Sequence, residues 1–178
     1  MRIRAIFSAF ALVGIVAASA EAQQKSIEFG IDAQAGFGLD DQGTSFNIPA
    51  QKLRAGFVIG NAMTLEPSLG YSRFGTDGAS ASQTAIDVSL LYHFSQDRAV
   101  KQFYLRPVIG LLRVAGSFDD ESDATTFMNI GVAGGVKIPL MDRIGARIEA
   151  EFRNQMEKEP IPSQSALNIN FGLSYFTR

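Results

Sequence analysis

The chain has 178 residues, with 16 Lys and Arg against 18 Asp and Glu, one His, no Cys and no Trp, for a formal net charge of −2. This composition leaves no basic footprint for nucleic acid and no thiol for disulfides, nucleophilic catalysis or zinc-thiolate sites. With a single His there is almost no ligand set for a transition metal, so neither metal nor cofactor is expected. Charged residues, at 19%, fall below the roughly 25% of an ordinary soluble domain.

The first element in chain order is a targeting segment. Met1-Arg2-Ile3-Arg4 precedes an apolar run from Ala5 to Ala18, and Ala20-Glu21-Ala22 supplies an A-x-A site. That is the pattern of a cleaved secretory signal peptide, too short to span a bilayer as a stable helix. Cleavage is expected after Ala22, and Ala18-Ser19-Ala20 offers a second site that starts the mature chain at Glu21. Residues 1–22 are thus read as a signal peptide and 23–178 as one domain. Their removal takes away Arg2, Arg4 and Glu21 and moves the formal charge to −3. No later stretch approaches the roughly 18 consecutive apolar residues of a membrane helix. A mature chain that enters a membrane must therefore do so as a closed barrel, because lipid cannot satisfy an open strand edge.

From Ile27 the sequence alternates with period two. Ile27, Phe29, Ile31, Ala33, Ala35, Phe37 and Leu39 share one face, and Glu28, Gly30, Asp32, Gln34, Gly36 and Gly38 share the other, a pattern that a helix would scatter around its circumference. Six further strands are expected at Phe46–Ile59, Met63–Ser72, Gln83–Phe94, Phe103–Ala115, Thr125–Pro139 and Ile144–Arg153. The last strand sets Leu167, Ile169, Phe171, Leu173 and Tyr175 against Asn168, Asn170, Gly172, Ser174 and Phe176. Short connections at 60–62, 95–102 and 140–143 alternate with longer polar ones at 40–44, 73–82, 116–124 and 154–164. Such alternation places the long loops at one end, as in barrels with periplasmic turns and extracellular loops. Leu65-Glu66-Pro67-Ser68-Leu69-Gly70-Tyr71 is echoed 40 residues later by Leu105-Arg106-Pro107-Val108-Ile109-Gly110-Leu111. The echo marks equivalent places on strands three and five. Bulges are expected at Pro67 and Pro107, since proline removes a ladder donor.

A soluble lipocalin-type barrel also alternates, so the content of the polar face must decide which side is inward. Strand seven sets Gly145, Arg147, Glu149, Glu151 and Arg153 against Ile144, Ala146, Ile148, Ala150 and Phe152. Gly30, Gly36, Gly56, Gly70, Gly110, Gly131, Gly135 and Gly172 all fall on the polar face. Glycine weakens a solvated strand, whereas the crowded lumen of an eight-stranded barrel needs small residues between paired charges. The apolar face is therefore placed in lipid. Aromatic girdles are read at Phe29, Phe57, Phe94, Phe103 and Tyr175 toward the periplasm and at Phe37, Phe46, Tyr71, Phe127 and Phe152 toward the outside.

The chain at this point resembles the small OmpA/OmpX-type outer-membrane barrels, a family of porin-like β-barrel proteins. The resemblance covers the whole mature chain, and its most specific piece is the C-terminal Gly172-Leu173-Ser174-Tyr175-Phe176. That stretch is similar to the family's assembly signal, with Gly172, Tyr175 and Phe176 in its key places, although Thr177-Arg178 follow where the family ends on Phe. The resemblance implies an all-β, eight-stranded antiparallel up-and-down transmembrane barrel in a Gram-negative-type outer membrane. It also implies outer-membrane lipids, lipopolysaccharide and the barrel-assembly machinery as partners.

The candidate site is a lumen charge network of Glu28, Asp32, Arg54, Glu66, Asp87, Arg106, Lys137, Arg147, Glu149, Glu151 and Arg153. In a narrow interior each charge must be paired, so the set reads as a structural plug. A charge-lined ion path is the functional alternative. His93-Phe94-Ser95 is similar to the His-x-Ser of PagL-type lipid A deacylases, but it sits at the periplasmic end, away from the leaflet where such an enzyme works. No catalytic residue is assigned. Asp119-Asp120-Glu121-Ser122-Asp123 lacks the ordered spacing of a calcium loop and reads as a solvated loop. Gly131-Val132-Ala133-Gly134-Gly135 lacks the Lys-Ser/Thr of a phosphate loop. The expected role is non-enzymatic, structural or in surface interactions. A narrow pore and, behind it, a membrane-embedded lipid hydrolase are the alternatives.

Overall fold

A computed structural model describes residues 27–39, 46–76, 79–95, 97, 100–118, 121–159 and 162–177. The expected signal peptide, the 40–44 connection, Asp119 and Asp120 lie outside the described residues. The strands are β1 (Ile27–Gly38), β2 (Phe46–Val58), β3 (Met63–Thr76), β4 (Ala79–His93), β5 (Gln102–Phe118), β6 (Glu121–Met141), β7 (Ile144–Gln155) and β8 (Gln164–Phe176). Each pairs antiparallel with the next, and β1 pairs with β8, for instance Asp32 opposite Gly172, so the sheet closes into a barrel. Closure leaves no unpaired edge, as lipid requires. Among the described residues no helix is long and apolar enough to cross a membrane.

Period two decides the placement of side chains. Phe29, Ile31, Leu53, Leu69, Ile86, Ile109, Ile148, Phe171 and Leu173 point outward and are exposed, while Glu28, Asp32, Arg54, Glu66, Arg106, Arg147 and Glu149 point inward and are buried. An apolar exterior around a charged interior is the arrangement of a membrane barrel, whose outer face meets lipid.

Three expectations are corrected. The polar segments 73–82 and 116–124 do not form long loops. β3 runs to Thr76 and β4 starts at Ala79, while β5 runs to Phe118 and β6 starts at Glu121. Polar composition there belongs to strands that continue past the apolar rows. Nor do the prolines form bulges. Pro67 pairs with Val88 and Pro107 with Val132 in continuous register. The cost falls on the other side of each strand, where two pairs drop out of the ladder, between Arg54↔Ser68 and Phe57↔Leu65 and between Ser89↔Val108 and Tyr92↔Leu105. A proline lacks its donor toward one neighbour only, so one ladder is interrupted and the other kept. Both gaps face the preceding strand, so the two echoed segments are structurally equivalent. The register shifts instead at Gln34/Gly36 and Pro139/Met141. Finally, Phe127 does not join the outer girdle. It shares the inward parity of Asn129 and is 4% exposed.

Candidate functional site

The lumen holds six cations and six carboxylates among the described residues, joined by ion pairs into one network. At the end that carries the termini, the Lys137 ammonium on β6 donates to Glu28 on β1. Arg54 on β2 donates to the other Glu28 oxygen at 2.5 Å and to both Asp32 oxygens at 3.0 Å. Ser174 on β8 ties this layer together, accepting from Arg54 Nη2 and donating to Glu28 Oε1, each at 2.7 Å.

The middle of the bore is organised by Glu66 and Glu149. Arg147 Nη1 reaches both Glu66 oxygens at 2.9 and 2.8 Å, while Arg54 Nη1 lies 3.4 Å from Glu66 Oε2. Glu149 accepts from Arg106 Nε at 2.8 Å, Arg147 Nη2 at 2.6 Å, Tyr104 Oη at 2.8 Å and Asn170 Nδ2 at 2.8 Å. Tyr104 accepts in turn from Arg147 Nε at 2.7 Å, and the Arg147 guanidinium lies 5.0 Å from the centroid of its ring. Toward the loop end, Arg106 Nη2 donates to Glu151 at 2.6 Å, and Arg153 Nε donates to the other Glu151 oxygen at 2.6 Å. Arg153 also holds both Asp87 oxygens at 3.0 Å, and Lys52 Nζ lies 3.1 Å from Asp87.

Traced from end to end, the chain runs Lys137, Glu28, Arg54, Glu66, Arg147, Glu149, Arg106, Glu151, Arg153, Asp87, Lys52. The sign alternates at every step, and Asp32 branches from Arg54. A buried charge is expensive unless paired and hydrogen-bonded. Here most carboxylates hold two or more charged donors, which makes the assembly self-compensating. Glycine supplies the room. A Cβ built on Gly30 would fall on the Arg54 guanidinium, and one on Gly172 would fall on the Asp32 carboxylate.

All eleven charges named from the sequence lie on this network. Glu66 and Arg106, at equivalent places on β3 and β5, do not touch. They are linked through Arg147 and Glu149, and through Ser89, which accepts from Arg106 Nη1 at 3.3 Å and donates to the Glu66 carbonyl at 3.0 Å. The sequence reasoning missed Lys52, Tyr104, Ser89, Asn170 and Ser174. Parity could have found the first two, since each stands two residues from an inward arginine.

No hydrogen bond joins His93 to Ser95 among the described residues. His93 Nε2 is 3.2 Å from Thr64 Oγ1, and the Ser95 carbonyl accepts from Gln102. Both residues line a recess of about 60 Å³ at the terminal end of the lumen, beside Glu28 and Lys137. A larger recess of about 180 Å³ adjoins it, between Gln102, Lys137, Arg143 and Phe176. Of the C-terminal residues, Gly172 faces the lumen against Asp32, and Tyr175 faces outward between Phe29 and Ile144. The Phe176 ring lies against Gly145 at the lumen mouth. Glu121–Asp123 begin β6 rather than lying in a loop. Among the described residues no group of three or more His, Asp or Glu side chains is placed to hold a metal ion.

Comparison with solved structures finds the same fold. Neisserial surface protein A superposes with a TM-score of 0.71 at 13% identity, over 84% of this chain and 96% of that one. The attachment invasion locus protein Ail of Yersinia pestis, solved with the heparin analogue sucrose octasulfate, gives 0.60 at 11% identity, over 87% and 100%. The N-terminal β-barrel domain of Pseudomonas aeruginosa OprF gives 0.52 at 14%, over 85% and 100%. No curated protein matches the sequence. A family model described as the outer membrane protein beta-barrel domain matches residues 8–175. With a closed barrel, an apolar exterior and that match over nearly its whole length, the chain belongs to the outer membrane protein beta-barrel domain family and resides in the outer membrane.

Proposed function

We infer that the protein is a non-enzymatic, non-conducting barrel that serves the envelope structurally or through its outward surface. It reaches the membrane by way of a signal peptide at 1–22 and is assembled through its C-terminal strand. The observation that carries this reading is the unbroken alternation of charge across the bore, in which every buried ion among the described residues has a counter-ion. Eight strands enclose an interior that side chains can fill, and the two recesses described above lie at the terminal end, where Lys137 lines both. An ion crossing the bore would have to part successive arginine–carboxylate pairs, of which Arg106–Glu149 and Arg153–Asp87 are bidentate, each held by charge-assisted hydrogen bonds.

Planar-bilayer recording of the refolded barrel tests the reading. No unitary steps above the lipid background are expected in either polarity. Steps of constant amplitude that scale with salt would establish the narrow-pore alternative. A lipid-hydrolysing activity abolished by Ser95→Ala would establish the enzyme.

A further inference from the structure

The outer wall changes character within one step of the register across β3 to β6. One row, Leu69, Ile86, Leu111 and Met128, is wholly apolar and exposed. The next row toward the loop end is Tyr71, Thr84, Arg113 and Thr126, and the row above it contains Arg73, Ser82 and Ala115. Arg73 and Arg113 share the outward parity of Leu69 and Leu111, and both are exposed. Neither has a hydrogen-bond or ion-pair partner among the described residues, whereas every arginine of the lumen is held by two or more carboxylates. Lys158, from the β7–β8 connection, donates to the Thr126 carbonyl at 2.9 Å and so lies beside the same rows. Glu157 and Glu159 flank it in the sequence.

We propose that Arg73 and Arg113, with the hydroxyls of Ser82 and Thr84 between them, form a site on the outside of the barrel for the phosphorylated headgroup of an outer-leaflet lipid. The site rests on the outer-membrane placement and not on a closed lumen. The arginines stand on either side of β4, two strands and two residues apart, roughly 10–12 Å between Cα atoms from sheet spacings. Two guanidinium groups at that separation can converge on one phosphate or hold two phosphates of one headgroup, each in the fork geometry that suits phosphate oxygens. Leu69, Ile86 and Leu111 directly below offer the acyl chains an apolar wall, so the lipid meets charge and hydrocarbon where its own chemistry changes. The loop end faces the outer leaflet because β3 to β6 rise there beyond the belt, as the extracellular excursions of outer-membrane barrels do.

Native mass spectrometry of the detergent-folded barrel reads binding directly. The probes are a bisphosphorylated lipid A, its fully dephosphorylated counterpart and inorganic phosphate. The bisphosphorylated lipid is expected to bind in a salt-sensitive manner. Arg73→Gln combined with Arg113→Gln should weaken it by about tenfold or more, given a contribution of about 1 kcal/mol from each basic residue at an anionic surface. Arg143→Gln at the opposite end should leave binding unchanged. Should the double variant fail to fold, wild-type protein still decides the matter through the dephosphorylated lipid, which should bind at least tenfold more weakly. Equal binding of the two lipids, or an unaffected folded double variant, would overturn the site. Inorganic phosphate bound as tightly as the lipid would show a free-anion site and overturn the lipid assignment. Failure of these tests leaves the conductance result untouched, so the two readings fall separately.

Discussion

Truncating Arg106 and Glu149, singly and together, probes the middle of the lumen network. Removing Arg106 takes two donors from Glu149 and one from Glu151, but Glu149 keeps Arg147, Tyr104 and Asn170, and Glu151 keeps Arg153. Breaking a buried pair from one side costs about 3–5 kcal/mol when the remaining charge is left uncompensated. The surviving donors should hold Arg106→Ala to about 3 kcal/mol, the lower end of that range. Glu149→Ala also strips Arg147 and Tyr104 of a shared acceptor, so it should cost at least as much. The double variant should cost less than the sum of the two by about 1–3 kcal/mol, the coupling typical of residues in one ion-pair network. Urea unfolding from lipid vesicles, followed by far-UV circular dichroism because the chain has no Trp, measures all three. Glu66→Ala with Arg106→Ala is the internal comparison, and its coupling should be smaller because those residues meet only through intermediaries. Additivity of Arg106 and Glu149 within about 0.5 kcal/mol, the tolerance for independent sites, would refute the idea that the network acts as a unit.

Other outcomes follow from the same geometry. Ile148 faces lipid and is 43% exposed, so Ile148→Arg should lose about 2–4 kcal/mol, the depth-dependent penalty for a charge on a barrel's outer face. Gly172→Ala would drive a Cβ into Asp32 and should destabilise by about 1–3 kcal/mol, as overpacking does, while Gly134→Ala, which meets nothing within 4 Å, should be close to neutral in the same unfolding assay. The folded chain should resist SDS until heated and then shift on a gel. Identical migration of boiled and unboiled samples, with helical circular dichroism, would contradict the barrel.

Strand number, order and inward face were legible because one physical rule, alternation between lipid and lumen, governs each strand where it crosses the membrane. The eleven charges could be assigned inward because lumen glycines share their parity, and the structure explains that sharing: Gly30 and Gly172 give the Arg54 and Asp32 side chains their space. Partners were not legible. Glu66 and Arg106 stand at equivalent positions with opposite charges, and the bore sends Glu66 to Arg147 and Arg106 to Glu149, which sequence position alone does not specify. Lys52 escaped notice because the polar and apolar residues of 46–51 do not alternate cleanly ahead of it. Phe127 reads as outward by hydrophobicity, but its parity with Asn129 turns it inward. The hairpins at 73–82 and 116–124 read as loops in the sequence because strands beyond the bilayer lose the apolar face that identifies them.

Potassium flux from sealed vesicles tests the closed lumen most directly, with wild-type protein compared against the Arg106→Ala/Glu149→Ala variant. Wild-type vesicles should release potassium at the rate of empty lipid, and the double variant, with the bidentate Arg106–Glu149 pair removed from the middle of the bore, should leak faster. Wild-type flux well above the lipid background would contradict a lumen closed by its own ion pairs.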